Sequence, residues 1–209
     1  MRKLHAAEHR QTPTESLDKL SSDANEIIRQ AVAKNPSTSV ATLDKLADDK
    51  DFDTKINVAR NPNTSPQTLD KLAQSNEGAT GMEIKIEVVL NDNTSSETLD
   101  KLAKDDNYYV RLNVAAHPNT SVNTLKKLAK DKHFNVRYSA VKNPNTPIET
   151  VRDVAKKDKD ATVKNAANKA LLKREFDITK LSPELREKVK DWDAEDIGKF
   201  LAWLKEHKG

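Results

Sequence analysis

The sequence predicts an all-α fold, a stack of about six two-helix repeats of about 26 residues with a helical hairpin at its C-terminal end. Three observations predict it. A thirteen-residue phrase occurs five times, as NPSTSVATLDKLA from Asn35, NPNTSPQTLDKLA from Asn61, NDNTSSETLDKLA from Asn91, HPNTSVNTLKKLA from His117 and NPNTPIETVRDVA from Asn143. Its leucine recurs at Leu17, Leu43, Leu69, Leu99 and Leu125 and then as Val151, in steps of 26, 26, 30, 26 and 26 residues. A fixed period in this range marks stacked units, none of which buries its apolar face alone. The composition agrees: 33% of the 209 residues are charged and only 35% hydrophobic, which suits many small cores better than one large one.

The first helix of each unit is expected to open on a threonine cap, at Thr12, Thr38, Thr64, Thr94, Thr120 and Thr146. Glu15, Gln67, Glu97 and Glu149 lie three residues on and complete capping boxes. Pro13 and Pro147 suit the first helical position, where a missing N–H costs nothing. Leu69, Leu72 and Ala73 stand at i, i+3 and i+4 and predict a buried stripe. Leu43, Leu69, Leu99 and Leu125 should therefore be buried at equivalent places.

The second helix reads apolar–basic–x–x–small apolar, as in IRQAVA from Ile28, VRLNVA from Val110 and VRYSAV from Val136. The Asn-Pro that follows ends it, because proline disfavours helix in the residue before it. In the third full unit four extra residues enter within QSNEGATGMEI, and with Gly78 and Gly81 the stretch 75–81 is expected to be a mobile surface loop. The tail from Leu172 does not repeat. SPELREKVKDW opens on a Ser182 cap with Pro183 behind it. DAEDIGKFLAWLKEHK opens on an Asp193 cap and sets Ile197, Phe200, Leu201 and Leu204 on one face. These predict a capping hairpin, with repeats over 1–172 and the cap over 173–209.

The alternation VRxxVAxNPNTPxxxLxxLAxD resembles the leucine-rich repeat variant family, a bacterial relative of HEAT-type helical repeats. The best matches are Val110–Ala129 and Val136–Ala155, and the resemblance spans roughly residues 2–170. It implies a right-handed α-solenoid of alternating α and short, often 3₁₀, helices, with no enzymatic activity. Two departures stand out. The unit here is a little longer than the family's usual one, so the second piece could be a full α-turn or more. The cysteine-ligated iron–sulfur cluster of some members is excluded, because there is no cysteine.

Absence of cysteine also excludes disulfides and thiolate metal sites. The basic start MRKLHAAEHR has no apolar run behind it, so no signal peptide, no membrane span and a cytoplasmic, monomeric protein are expected. HAAEH, from His5 to His9, fits the H-x-x-E-H spacing of a zinc protease. His9 stands 26 residues before Asn35, however, and so takes the asparagine slot of a truncated first unit, as His117 does later. No metal or cofactor is expected, and no catalytic set is present: there is no glycine-rich phosphate loop and no nucleophile beside a base.

Three series recur on the frame. Asn35, Asn61, Asn91 and Asn143 suit a left-handed turn at a helix end, with an amide free to bond backbone in the stack. Arg29, Lys55, Lys85, Arg111, Arg137 and Lys164 could track phosphates or pair with aspartates such as Asp48, Asp105 and Asp131. The third series varies between units. Glu26, Phe52, Met82, Tyr108, Phe134 and Ala161 precede the apolar anchor, and Gln30, Ile56, Ile86, Leu112, Tyr138 and Asn165 follow it, about four apart and so on one helix face. This stripe is either extra core or a binding strip. Tyr108, Leu112, Phe134 and Tyr138 are its candidates for contacting a partner.

Charge is uneven. Residues 11–100 carry 9 Lys and Arg against 16 Asp and Glu, whereas residues 101–172 carry 15 against 7. The expected function is a non-catalytic repeat scaffold that binds a partner protein through one face. The alternative is a nucleic-acid-binding protein that uses the basic half, 101–172, with Lys126, Lys127, Lys130, Lys142 and Lys169 as phosphate contacts.

Overall fold

The computed structural model describes residues 2–75, 78–175, 183–184, 187–188, 192 and 194–207. Among them the chain is all-helical, with fourteen α-helices and no strand. Short and longer helices alternate. The short ones are α2 (Thr14–Leu20), α4 (Val40–Leu46), α6 (Pro66–Leu72), α8 (Ser96–Leu102), α10 (Val122–Leu128) and α12 (Ile148–Lys157). The longer ones are α1 (Arg2–Glu8), α3 (Glu26–Lys34), α5 (Phe52–Arg60), α7 (Gly78–Leu90), α9 (Tyr108–Ala116), α11 (Phe134–Lys142) and α13 (Ala161–Glu175), and α14 (Ala194–His207) follows. The second piece of each 26-residue unit is thus a full α-helix.

The chain divides into two compact units, Met1–Val114 and Ala115–Gly209. In the first, α1, α3, α5 and α7 pack in succession, with α2, α4 and α6 set between them. In the second, α11 packs on α13, and α13 also packs on α12 and α14. The recurring leucines are the core: Leu17, Leu43, Leu69, Leu99, Leu125 and Val151 are all fully buried. Val32, Val58, Val88 and Val114 do the same for the longer helices.

The caps differ from expectation by one residue. Ser39, Ser65, Ser95 and Ser121 are the N-caps, each accepting from the N–H of the threonine three residues on (Thr42, Thr68, Thr98, Thr124). Pro13 and Pro147 stand at the N-cap position, and it is Pro66 that starts a helix. The threonines Thr12, Thr38, Thr64 and Thr146 face backwards instead. Their hydroxyls donate to the carbonyls of Ala6, Val32, Val58 and Ala140, six residues earlier, near the end of the preceding helix. The carbonyls of Val32, Val58 and Ala140 also accept from the N–H of Asn35, Asn61 and Asn143, so the hydroxyl fills their second acceptor site at the helix end.

The insertion is not a loop over its described part. Helix α7 begins at Gly78, with φ +60°, and runs 13 residues where α3, α5 and α11 run 9. Four residues make about one turn of α-helix, so the extra length is taken up as one added turn. Residues 76–77 lie outside the described residues. In the tail, Ile197 is fully buried, Trp192 meets Phe200 edge-on at 5.2 Å, and Trp203 is half-exposed. Ser182, Asp193 and the side chains of Leu201 and Leu204 lie outside the described residues.

Candidate partner-binding groove

Two side-chain ladders explain why certain positions are the same in every unit. In the first, the Asn61 amide donates to Ala33 O at 2.7 Å and Asn35 O at 3.0 Å, while its Oδ1 accepts from Asn63 N. Asn35 makes the same bonds to Ala7 and His9, Asn91 to Ala59 and Asn61, and Asn143 to Ala115 and His117. Each asparagine thus stitches its unit to the one before. The left-handed turn expected for them is absent: Asn35, Asn61 and Asn143 have φ near −70° and ψ near 125°. That extended backbone is what a following proline imposes. His9 and His117 fill the same slot, and their Nδ1 atoms accept from Gln11 N and Asn119 N as an asparagine oxygen would.

The second ladder is ionic. Arg29 grips Asp49 through Nε at 2.6 Å and Nη2 at 3.0 Å, and its Nη1 reaches the carbonyls of Asp23 and Ala24. Arg137 holds Asp158 and the carbonyls of Asp131 and Lys132 in the same manner. Lys3 pairs with Asp23 and Lys85 with Asp105. Of the expected aspartates, Asp48 bonds Lys71 instead, and its neighbour Asp49 takes the ladder position. Arg111 reaches the carbonyls of Asp105 and Asp106, so Arg29, Lys85, Arg111 and Arg137, with their truncated-unit counterpart Lys3, all bond backbone or carboxylate of the chain itself.

The Arg137 guanidinium holds the Asp158 carboxyl below the usual carboxylate value, against the opposing effect of its burial. A carboxyl whose folded value is depressed contributes stability that is complete above its unfolded value, about 3.9, and lost as pH falls through the folded value. Asp158→Asn is expected to cost about 2 kcal/mol at pH 7, as the loss of hydrogen bonds to a charged group does. It should also flatten the decline in stability between pH 5 and pH 3. Urea midpoints at the two pH values check this, and superimposable pH profiles for variant and parent would refute it.

The ladder ends at Arg174. Its Nη2 donates to Asn143 O and its Nη1 to Thr146 O. In the preceding units the corresponding carbonyls accept from asparagines: Asn35 O from Asn61, and Thr64 O from Asn93. One guanidinium from the extended α13 thus replaces two amides of a further unit. Sequence reading missed this residue, because it lies beyond the last repeat.

The candidate site residues fall in different places. Tyr108 is half-buried on α9, its ring 4.2 Å from that of Tyr109, and Leu112 stands one turn on. The hydrogen bond to Tyr109 raises the Tyr108 phenol above its ordinary value. On α11, Phe134 is 43% exposed and stacks on His133 at 5.3 Å, and Tyr138 lies one turn further along. Lys142 follows after another turn, its Nζ 5.2 Å from the centre of the Tyr138 ring.

The five candidate lysines are not brought together. Lys126 and Lys130 line a cavity of about 370 Å³ between α10 and α12, where Asp153 and Asp158 share the walls. Lys127 is exposed on α10. Lys142 and Lys169 line a different groove, of about 470 Å³, between α11 and α13. Tyr138 lies in that groove too, so an aromatic candidate and two lysine candidates share one site. Ala166, Ala170 and Pro144 line its apolar part, and Lys173 and Arg174 add two more cations. The spacing of Ala166, Lys169, Ala170 and Lys173, at i, i+3, i+4 and i+7, is a helix-face signal that could have found them.

No described helix is long and apolar enough to cross a membrane. No group of metal-ligating side chains occurs among the described residues. No family model and no curated protein matches the chain. Among solved structures it is similar to one described as a leucine-rich repeat variant with a novel repetitive protein structural motif. The identity is 22%, over 78% of this chain and 73% of that one, with a TM-score of 0.39.

Proposed function

We propose that the protein is a non-catalytic helical-repeat scaffold that binds a partner protein through the exposed face of its longer helices. One observation carries the reading. Positions that are the same in every unit are engaged inward, in the core and the two ladders, whereas Tyr108, Leu112, Phe134 and Tyr138 vary between units and keep part of their surface exposed. Repeat proteins present their binding surfaces on such variable positions of a constant frame, and aromatic side chains supply much contact area there for little conformational entropy. On this reading the protein acts as a cytoplasmic monomer and needs no cofactor.

The test is affinity purification from source cells with and without nuclease treatment, repeated with Tyr108→Ala, Phe134→Ala and Tyr138→Ala. A partner that survives nuclease and is lost with the variants is expected, each costing about 1 kcal/mol or more, roughly the hot-spot threshold. Unchanged melting temperatures would separate lost contact from lost fold. Retention that depends on nucleic acid, falls steeply with salt and disappears on changing Lys126, Lys127 and Lys130 to glutamine would overturn the reading in favour of phosphate-backbone binding.

A further inference from the structure

The groove between α11 and α13 carries a more specific reading, which rests on the scaffold function proposed above. We infer that it docks an acidic, amphipathic peptide segment of a partner protein. An apolar side chain of that segment would lie against the Tyr138 ring over Ala166 and Ala170, and its carboxylates would pair with Lys142, Lys169 and Lys173.

The groove is a variation on one that the fold makes elsewhere. Between α1 and α3 a cavity of about 280 Å³ is lined by Leu4, Glu8 and Arg10 of the earlier unit and by Ala31, Lys34 and Asn35 of the later one. Through the repeat these correspond to Tyr138, Lys142 and Pro144, and to Ala166, Lys169 and Ala170. The frame is held and the chemistry is changed. Leucine becomes tyrosine, and Glu8 becomes Lys142, so the carboxylate of the first groove has no counterpart in the second. Helix α13 then runs on past the point where α3 stops and brings Lys173 and Arg174 to the groove. None of the residues lining the groove is a carboxylate.

Four cations around a small apolar floor repel one another, and an anionic partner relieves that repulsion. Lys169 and Lys173 are both exposed. They stand four residues apart on one helix, about 6 Å along its axis, which matches carboxylates one turn apart on an acidic helix. Arg174 is already bonded to Asn143 O and Thr146 O, so its charge is fixed in place while the lysines make the contacts. The alanine floor and the tyrosine ring favour a peptide with an apolar anchor over a bare phosphate chain. The cavity between α10 and α12 mixes Asp153 and Asp158 with Lys126, Lys130, Arg137 and Lys157, whereas the groove between α11 and α13 is lined by cations without a carboxylate.

The experiment is selection of a random 16-residue displayed peptide library on the full chain. The K169E/K173E variant serves as counter-target, and the isolated peptides are measured by fluorescence polarisation. Enrichment of sequences that combine several Asp or Glu with a large apolar residue is expected, with affinity reduced at least about ten-fold by K169E/K173E. Ala170→Trp, which fills the floor without removing a charge, should reduce it comparably. Changing Lys126, Lys127 and Lys130 to glutamate should leave binding within about two-fold, as remote surface charges do. Circular dichroism of each variant separates lost binding from lost fold. Selected peptides that bind the charge-reversed variant equally well would sink the groove assignment and leave the scaffold reading standing. Failure to enrich acidic sequences would also sink it. Tight binding of a single-stranded oligonucleotide, lost in K169E/K173E while no peptide binds, would overturn both readings.

Discussion

Asn61→Ala is expected to destabilise the chain by about 2–4 kcal/mol, although it removes only one polar amide and no apolar surface. The side chain makes three hydrogen bonds, to Ala33 O, to Asn35 O and from Asn63 N, and the residue is 2% exposed. Alanine leaves Ala33 O and Asn63 N–H without that partner where water has little access, while Asn35 O keeps its bond from Thr38 N at 3.1 Å. Each unsatisfied buried group costs about 1–3 kcal/mol, and entry of water at the partly buried Asn63 N–H holds the total below the simple sum. Asn61→Asp is the more telling variant. It keeps the acceptor for Asn63 N but points a carboxylate at two carbonyls, so it should be at least as harmful as alanine. Asn61→His should be milder, because His117 occupies the same slot and accepts from Asn119 N. Urea denaturation ranks the three. A loss below about 1 kcal/mol for Asn61→Ala would mean that the ladder does not hold the units together.

These ladders mark the boundary of what was legible in the sequence. Period, helix content and the core leucines followed from repetition alone, since a fixed slot must meet a fixed environment. The asparagine slot was visible, and bonding of its amide to the stack was expected, but its backbone conformation was not. Asparagine suits both a left-handed turn and a pre-proline bend, and the Asn-Pro pair at Asn35, Asn61 and Asn143 should have decided for the second. The caps slipped by one residue because threonine and serine are neighbours and both cap helices well. The Thr38 and Thr64 hydroxyls are taken up by Val32 O and Val58 O in the helix before, and it is Ser39 and Ser65 that accept from Thr42 N and Thr68 N. At the insertion, glycines suggested a loop, whereas four added residues fit one helical turn and leave the rest of α7 in register.

The groove was legible only in pieces. Tyr138 belonged to an aromatic stripe and Lys142 and Lys169 to a basic half, two features that argued for different partners. What joins them is packing of α11 on α13 at a step of 27 residues between Val136 and Val163, with α13 continuing past the repeat. Nothing in the local pattern of KALLKRE announces that Arg174 ends the ladder, because that role depends on carbonyls about thirty residues earlier.

Leu69→Ala should cost about 2–5 kcal/mol, the range for truncating a buried leucine. Leu69 is 0% exposed on α6, a helix only seven residues long that packs on α5 and α7. A helix of two turns has little stability of its own; what holds α6 is its Ser65 cap and the burial of Leu69 and Leu72. The cavity left by alanine therefore loosens the contact with both neighbouring helices at once, and the upper half of the range is expected. Leu69→Met, close in volume, should cost less than about 1.5 kcal/mol. Leu69→Val should fall between the two, since Val151 fills the corresponding slot in the last repeat and is fully buried there. The slope of the urea transition adds a second reading. In a stack where each unit contacts only its neighbours, weakening one unit uncouples those on either side. Leu69→Ala should then lower the slope as well as the midpoint. A midpoint shift at unchanged slope would show that residues 1–114 unfold as one body even with a cavity at α6. An unchanged midpoint would show that this leucine slot is not the core on which the repeat depends.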